Sequence, residues 1–314
     1  MDLVSVQDVQ AAVETLTGVA VRTPVMPVPG VRGLWLKLEN EQPIGAFKVR
    51  GAYHAIARLP EGRRARGVIT HSSGNHGQAV AYAARAFGVP AVVVMPEGSV
   101  PLKVDRVRAR GGEVVIVPAA DRKSAAERIA AERGLTFIPP YDHRDVIAGQ
   151  GTVGLEIIEQ LPDVEVILVP VGGGGLISGI ATVVKGLRPD IAVIGVEPEL
   201  AADAADSLRA GHLVPWSVRD RGRTVADGVR ADISELTLVH ILARVDDIVT
   251  VSEDDIRHAV VTLDGSAAVT AEPSGALAAS AYLRHAGELP VGRTVAVVSG
   301  GNIDPALLRV LLSQ

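Results

Sequence analysis

The turns decide what this chain can fold into. Short apolar runs recur along it, each closed by a glycine-bearing turn that opens a helix-forming segment. Val68-Ile69-Thr70 leads into HSSGN, then into an alanine-rich stretch with Val80, Ala83, Ala84 and Phe87 at helical spacing, ending at Gly88. AVVVMP (91–96), EVVIVP (113–118), VEVILVPV (164–171), IAVIGVEP (191–198), DDIVTVS (246–252) and TVAVVSGGN (294–302) read as strands of the same kind. Helix signals lie between them: Pro101 in a first turn, Gly134 closing the charged stretch 123–133, and SEDD at 252–255 as a cap with acids behind it. Buried strands joined by helical crossovers predict an α/β fold with open, mostly parallel sheets and helices on both faces. One αβ unit at 52–143 is expected to be inserted in a larger body formed by 1–51 and 144–314. A helix is expected at about 152–161, and 200–245 is less regular.

Composition narrows the function. The 314 residues include no cysteine, which removes disulfides, thiolate zinc sites and cysteine nucleophiles. A net charge of −5 gives no basic surplus to attract nucleic acid. The longest apolar runs are about eight residues, against the ~20 a membrane helix needs. The opening MDLVSVQDVQ carries acids where a signal peptide carries bases, which predicts a cytoplasmic chain with no membrane partner.

Four loops carry the chemistry, each at the carboxyl end of a strand, where open parallel sheets place ligands. VGGGGLISGI (171–180) sets four glycines between a buried strand and a helix. Such a turn aims backbone N–H groups and a helix N-terminus at a phosphate, or else is a plain tight turn. PIGAFKVRGA (43–52) surrounds Lys48 with small and apolar groups; desolvation there lowers the amine's pKa and favours a Schiff base. THSSGNHGQA (70–79) offers hydroxyls, an amide and N–H groups to a carboxylate, and its His71 and His76 are acid/base or capping groups. In VVSGGN (297–302), Ser299 ends a buried strand with a hydroxyl able to meet a ring nitrogen. A phosphate cradle, a desolvated lysine, a carboxylate clasp and a ring-nitrogen partner are what pyridoxal 5′-phosphate (PLP) requires.

These blocks, with LKLENEQ (36–42), VIAGQGT (146–152), ADGV (226–229) and EPSGA (272–276), resemble those of the fold-type II PLP enzymes in the same order. The branch is that of serine/threonine dehydratases and serine racemases, whose fold is the tryptophan synthase β-like one. The resemblance covers about residues 20–305. It implies Lys48 as the Schiff-base lysine, Gly172, Gly173, Gly174, Gly175 and Leu176 as the phosphate cradle, and Phe47 packed on the ring. Asn75 would meet the ring hydroxyl and Ser299 the ring nitrogen. Ser72, Ser73, Asn75 and His76 would surround the substrate carboxylate, and Ser73 matches the racemases' second catalytic residue. Glu197, Ala201 and Asp203 fall at the spacing of the family's divalent-cation site, and oxygen ligands suit Mg²⁺ or Ca²⁺. A homodimer is implied as well.

Two departures bear on substrate. Ala46 stands where the family's usual block has serine, as in some 3-hydroxyaspartate dehydratases. Ser124, with Arg122 and Lys123 beside it, stands where an arginine can meet a second carboxylate. A dicarboxylate substrate is neither supported nor excluded. The implied reaction is dehydration of L-threonine and L-serine to a 2-oxo acid and ammonia. Racemisation or 3-hydroxyaspartate ammonia-lyase activity on the same scaffold is the alternative, and a catalytically silent PLP-binding protein is a remote one.

Overall fold

The computed structural model describes residues 3–72 and 74–313. Ten strands are present among the described residues. They are β1 (Val25–Pro27), β2 (Leu34–Leu38), β3 (Val68–His71), β4 (Ala91–Pro96), β5 (Glu113–Val117), β6 (Thr136–Phe137), β7 (Val166–Pro170), β8 (Ala192–Pro198), β9 (Asp247–Val251) and β10 (Thr294–Val298). They form a six-stranded sheet in the order β1-β2-β10-β7-β8-β9 and a four-stranded sheet in the order β5-β4-β3-β6. All neighbours run parallel except the β1–β2 pair. The fold is the α/β arrangement that the apolar runs and turns predict.

The middle of the larger sheet is buried on both faces, because β7 and β10 are apolar at nearly every position. Along β10, Val295 and Val297 join one hydrophobic cluster, while Ala296 and Val298 join the cluster on the opposite face. This is the period-two alternation of a strand, with both sets apolar. The four-stranded sheet has its own clusters: Ile69, Val92 and Val94 pack on Ala125, Ala126 and Ile129 of the helix Arg122–Arg133. No described helix is long and apolar enough to cross a membrane.

The structure corrects one helix. The segment expected to begin near 152 is helical from Arg144 to Gln160. Its internal glycines look like breaks in a linear reading, but they serve close packing. A Cβ on Gly149 would stand 2.7 Å from the Arg50 carbonyl oxygen, and one on Gly151 would stand 2.8 Å from the Gly179 carbonyl oxygen. The helix Lys48–Ala57 and the helix Gly175–Leu187 therefore lie directly against it. The irregular stretch after 200 contains helices Asp203–Ala210, Val218–Arg221 and Glu235–Arg244.

A buried ionic cluster fixes the helix that Lys48 opens. Arg50, 1% exposed, bonds Glu39 through Nε at 2.8 Å and Nη2 at 2.7 Å. It also bonds Glu156 at 2.7 and 2.9 Å. Lys37 adds a contact to Glu156 at 2.6 Å. The cluster ties the end of β2 to helices 48–57 and 144–160.

Candidate active site

The loops singled out in the sequence converge at the carboxyl ends of the strands. Ala46 forms an antiparallel bridge with Gly300. The Phe47 N–H donates to the Ser299 carbonyl at 3.1 Å, and the Gly301 N–H to the Gly45 carbonyl at 2.9 Å. These bonds place Lys48 as the first residue of its helix, beside the end of β10. Its Nζ donates to the Pro140 carbonyl at 2.9 Å and stands 4.9 Å from the centroid of the Phe47 ring. Desolvation brings the ammonium down to about 8, so a substantial neutral fraction exists at mildly alkaline pH.

Asn75 opens the helix Asn75–Ala86, four residues before the segment where the sequence first shows helical periodicity. Its amide is held on both sides. Nδ2 donates to Glu272 Oε1 at 2.5 Å, and Oδ1 accepts from Asn302 Nδ2 at 2.7 Å. One Asn75 N–H is left over. Glu272 is buried; burial, with Asp227 nearby, lifts its carboxyl to about 7. Ser299, also buried, bonds the Ser274 carbonyl at 3.2 Å. Ser274 Oγ in turn accepts from the Gly228 N–H at 2.8 Å. Glu272 and Ser274 thus belong to the site, although the sequence assigned the EPSGA block no role. Its only local signal was an acid placed just before a proline that starts a helix.

The glycine turn is walled by two other segments. Gly174 has φ of 82°, which favours glycine, and it is the N-cap of the helix Gly175–Leu187. No side chain caps that helix, so its first N–H groups suit an anion. A Cβ on Gly172 would stand 2.8 Å from Val229 Cα; one on Gly175 would stand 2.8 Å from Tyr141 Cβ. The Tyr141 ring lies against Gly173. Leu176 is buried behind the turn.

His76 is nearly inaccessible at 3% exposure, and its Nε2 lies 2.9 Å from the Ile138 carbonyl. A carbonyl only accepts, so Nε2 carries the proton. Burial, with Lys48 nearby, brings the imidazole down to about 3, so it stays neutral and Nδ1 is bare. Nδ1 is buried without a partner. From this position the backbone, not the ring, is what His76 can offer a carboxylate. Ser72 accepts from the Gly74 N–H at 3.2 Å. Ser73 lies outside the described residues.

Glu197 and Asp203 are both buried, at 0% and 1% exposure. Glu197 accepts from the N–H groups of Ala204 at 3.2 Å and Ala205 at 2.8 Å. Asp203 Oδ2 accepts from the Ile233 N–H at 3.0 Å, while its Oδ1 is buried and unpartnered. Burial and the neighbouring Asp203 raise the Glu197 carboxyl well above its ordinary value. Ala201 is buried between them in sequence. Among the described residues, no three His, Cys, Asp or Glu side chains cluster as a metal set.

Residues 16–300 match the family model described as pyridoxal-phosphate dependent enzyme. This chain belongs to that family. It is 41% identical to the L-threonine ammonia-lyase of Thermotoga maritima, over 99% of this chain and 79% of the relative. It is 40% identical to the L-threo-3-hydroxyaspartate ammonia-lyase of Saccharomyces cerevisiae, over 89% of this chain and 86% of the relative. The solved structure of maize serine racemase superposes with a TM-score of 0.93 at 35% identity, covering 99% and 98% of the two chains. The family's cofactor fits the residues present. An uncapped helix N-terminus behind a glycine turn suits its phosphate, a desolvated lysine its aldehyde, and the spare Asn75 N–H and the Ser299 hydroxyl its polar ring atoms.

The cradle makes a sharp prediction. Gly175→Ala forces a methyl to within 3.0 Å of the Tyr141 main chain. The expected result is a loss of about 1–3 kcal/mol in stability from overpacking, with PLP binding weakened. Titrating PLP into the cofactor-stripped variant and its parent checks this; equal affinities would show that the turn does not hold the phosphate.

Proposed function

We propose that the chain is a PLP-dependent ammonia-lyase that dehydrates L-threonine and L-serine to the 2-oxo acid and ammonia. The observation that carries this reading is the desolvated Lys48 amine, bonded to the Pro140 carbonyl beside the end of β10. In this reading Lys48 would hold the cofactor's aldehyde, and its free amine would take the proton from the substrate Cα. Gly172, Gly173, Gly174, Gly175 and Leu176 hold the phosphate, Phe47 packs on the ring, Asn75 meets the ring hydroxyl, and Ser299 meets the ring nitrogen. A hydroxyl at that nitrogen imposes no charge, unlike a carboxylate, and leaves the pyridine largely unprotonated. Bound in this way, PLP supplies an electron sink for the pair left at Cα. Ser72, Ser73, Asn75 and His76 receive the substrate carboxylate. The proton taken from Cα and the β-hydroxyl would depart together as water, and the enamine, on taking up a water molecule, would give the oxo acid and ammonia.

Relatives of both kinds support a second outcome on the same residues, racemisation with Ser73 returning the proton from the opposite face, and likewise a 3-hydroxyaspartate ammonia-lyase. Separate incubations with L-serine, L-threonine and L-threo-3-hydroxyaspartate distinguish them. Each is assayed for 2-oxo acid and, by chiral chromatography, for inverted amino acid. We expect oxo acid from threonine and serine with little inversion. Inversion at a comparable rate would make the protein a racemase, and no product from any substrate would sink the enzymatic reading.

We also propose Mg²⁺ or Ca²⁺ at Glu197, the Ala201 carbonyl and Asp203. The unpartnered Asp203 Oδ1, buried beside a second carboxylate, supports this, because a cation offsets the cost of two acids in one buried place. EDTA is expected to lower the rate and the thermal midpoint, and added Mg²⁺ or Ca²⁺ to restore both; indifference to EDTA would remove the site. The reading extends to a homodimer in the cytoplasm, built from a small domain, 52–143, inserted in a large one, 1–51 and 144–314. A monomeric mass in solution would remove the dimer.

A further inference from the structure

The segment that leads out of the four-stranded sheet after β6 has few main-chain donors. The Ile138 N–H is used on the Ile69 carbonyl at 2.9 Å, and Pro139 and Pro140 have none. What it presents to the site is carbonyl oxygen. The Ile138 carbonyl takes the His76 Nε2–H at 2.9 Å, and the Pro140 carbonyl takes the Lys48 Nζ–H at 2.9 Å. On the far side, Tyr141 lies against Gly173 and Gly175, and Asp142 accepts from Ser234 Oγ at 2.8 Å.

We propose that this donor-poor edge, Ile138 to Pro140, is the seat of the Lys48 amine whenever the amine is not bonded to cofactor, and that His76 is the positioning residue that holds the seat in place. The inference rests on the reading of Lys48 as the cofactor-bearing lysine and α-proton base. A base must return to one place on every turnover, because a shift of about 1 Å costs on the order of a hundredfold in rate. A free lysine has four rotatable bonds, and a single well-placed acceptor removes most of that freedom. The two prolines fix φ at the acceptor residue and at the residue before it, and bring no N–H that would compete with the lysine for it. His76 fastens the edge to the helix Asn75–Ala86, and so to the loop that offers Asn75 to the site. Its neutral ring adds no second positive charge beside the ammonium. Nδ1 is buried, so the ring acts through the segment and not on substrate.

The test compares His76→Leu, which removes the N–H, with His76→Gln, whose amide can donate in its place. Two quantities are read: exchange of the substrate Cα–H in D₂O by the holoenzyme, and the rate at which cofactor-stripped protein re-forms the visible absorbance of lysine-bound PLP. His76→Leu is expected to slow both by about ten- to a hundredfold, with KM within about threefold of the parent. His76→Gln is expected to recover most of the loss. Parental rates in His76→Leu, or equal losses in the two variants, would overturn the proposal. Where His76→Leu does not fold, the Pro139→Ala/Pro140→Ala variant takes its place. It returns two N–H groups and frees φ while keeping both carbonyls. Slower rates in both assays would support the seat, and parental rates would overturn it. Lys48→Ala separates the two readings. Exchange that survives in it overturns the lysine assignment and the seat together. A dead Lys48→Ala beside a fully active His76→Leu overturns the seat alone.

Discussion

Lys48→Ala is expected to abolish turnover, by at least about four orders of magnitude. The variant loses the covalent attachment point and the α-proton base in one step, and general base catalysis alone contributes roughly 10²–10⁴-fold. The purified variant should also lack the visible absorbance of lysine-bound PLP. Its fold should be unharmed, because Lys48 makes one hydrogen bond, to the Pro140 carbonyl, and its amine resists desolvation. Removing a charged group from a desolvating pocket costs no stability, so the thermal midpoint of the cofactor-free variant should equal or exceed that of the cofactor-free parent. A pH profile on the parent checks the same assignment. With the ammonium brought down to about 8, kcat should rise with pH through that region as the neutral base forms. A rate flat from pH 6 to 9 would mean that a different group, or a different step, sets the limb.

Arg50→Met should produce the largest loss of stability among single substitutions near the site, about 3–5 kcal/mol. Arg50 and Glu39 are both essentially inaccessible, and their bonds are bidentate at 2.8 and 2.7 Å. Removing the guanidinium leaves the Glu39 carboxylate buried with Thr23 at 2.6 Å, Gln42 at 3.2 Å and the neighbouring Lys37. The pH dependence gives the mechanism away. In the parent, Arg50 is among the groups that hold the Glu39 carboxyl below its ordinary value, so the pair's contribution is present at neutral pH and lost in acid. In the variant, the folded-state pKa of Glu39 rises above its unfolded value. The penalty is then full at neutral pH and is relieved as pH falls through the raised pKa. The gap between parent and variant, read from urea unfolding at several pH values, should narrow on acidification. A gap independent of pH would mean that lost packing, not a stranded charge, is the cause. Lys48 lies two residues before Arg50, so the same variant should also bind PLP more weakly.

The reactive groups were legible in sequence because each sits in a short run whose local chemistry is unusual. Four consecutive glycines ahead of an apolar helix can do few things, and the lysine between Phe47 and Val49 gains meaning beside that turn and the two hydroxyl-bearing loops. The strands were legible for the same local reason: β7 and β10 are apolar at nearly every position, which marks a strand covered on both faces. The linear pattern understates helix 144–160 because glycine's meaning depends on the partner. Gly149 and Gly151 weaken a helix in isolation and are required in this one because other backbones press against it.

How those reactive groups are held depends on partners distant in the chain. The Pro140 seat of Lys48 spans 92 residues of sequence, the Asn75–Glu272 bond 197, and the Asn302–Asn75 bond 227. No periodicity or local composition encodes such pairs, because each partner alone looks like an ordinary loop residue. They form when the crossovers bring loops from both sheets to one edge, where most buried donors and acceptors find a partner. Local sequence sets the chemistry available at the site, through residues of unusual type in short runs. Folding determined its geometry, because hydrogen-bond satisfaction in a buried site is a property of the assembled chain and not of any segment in it.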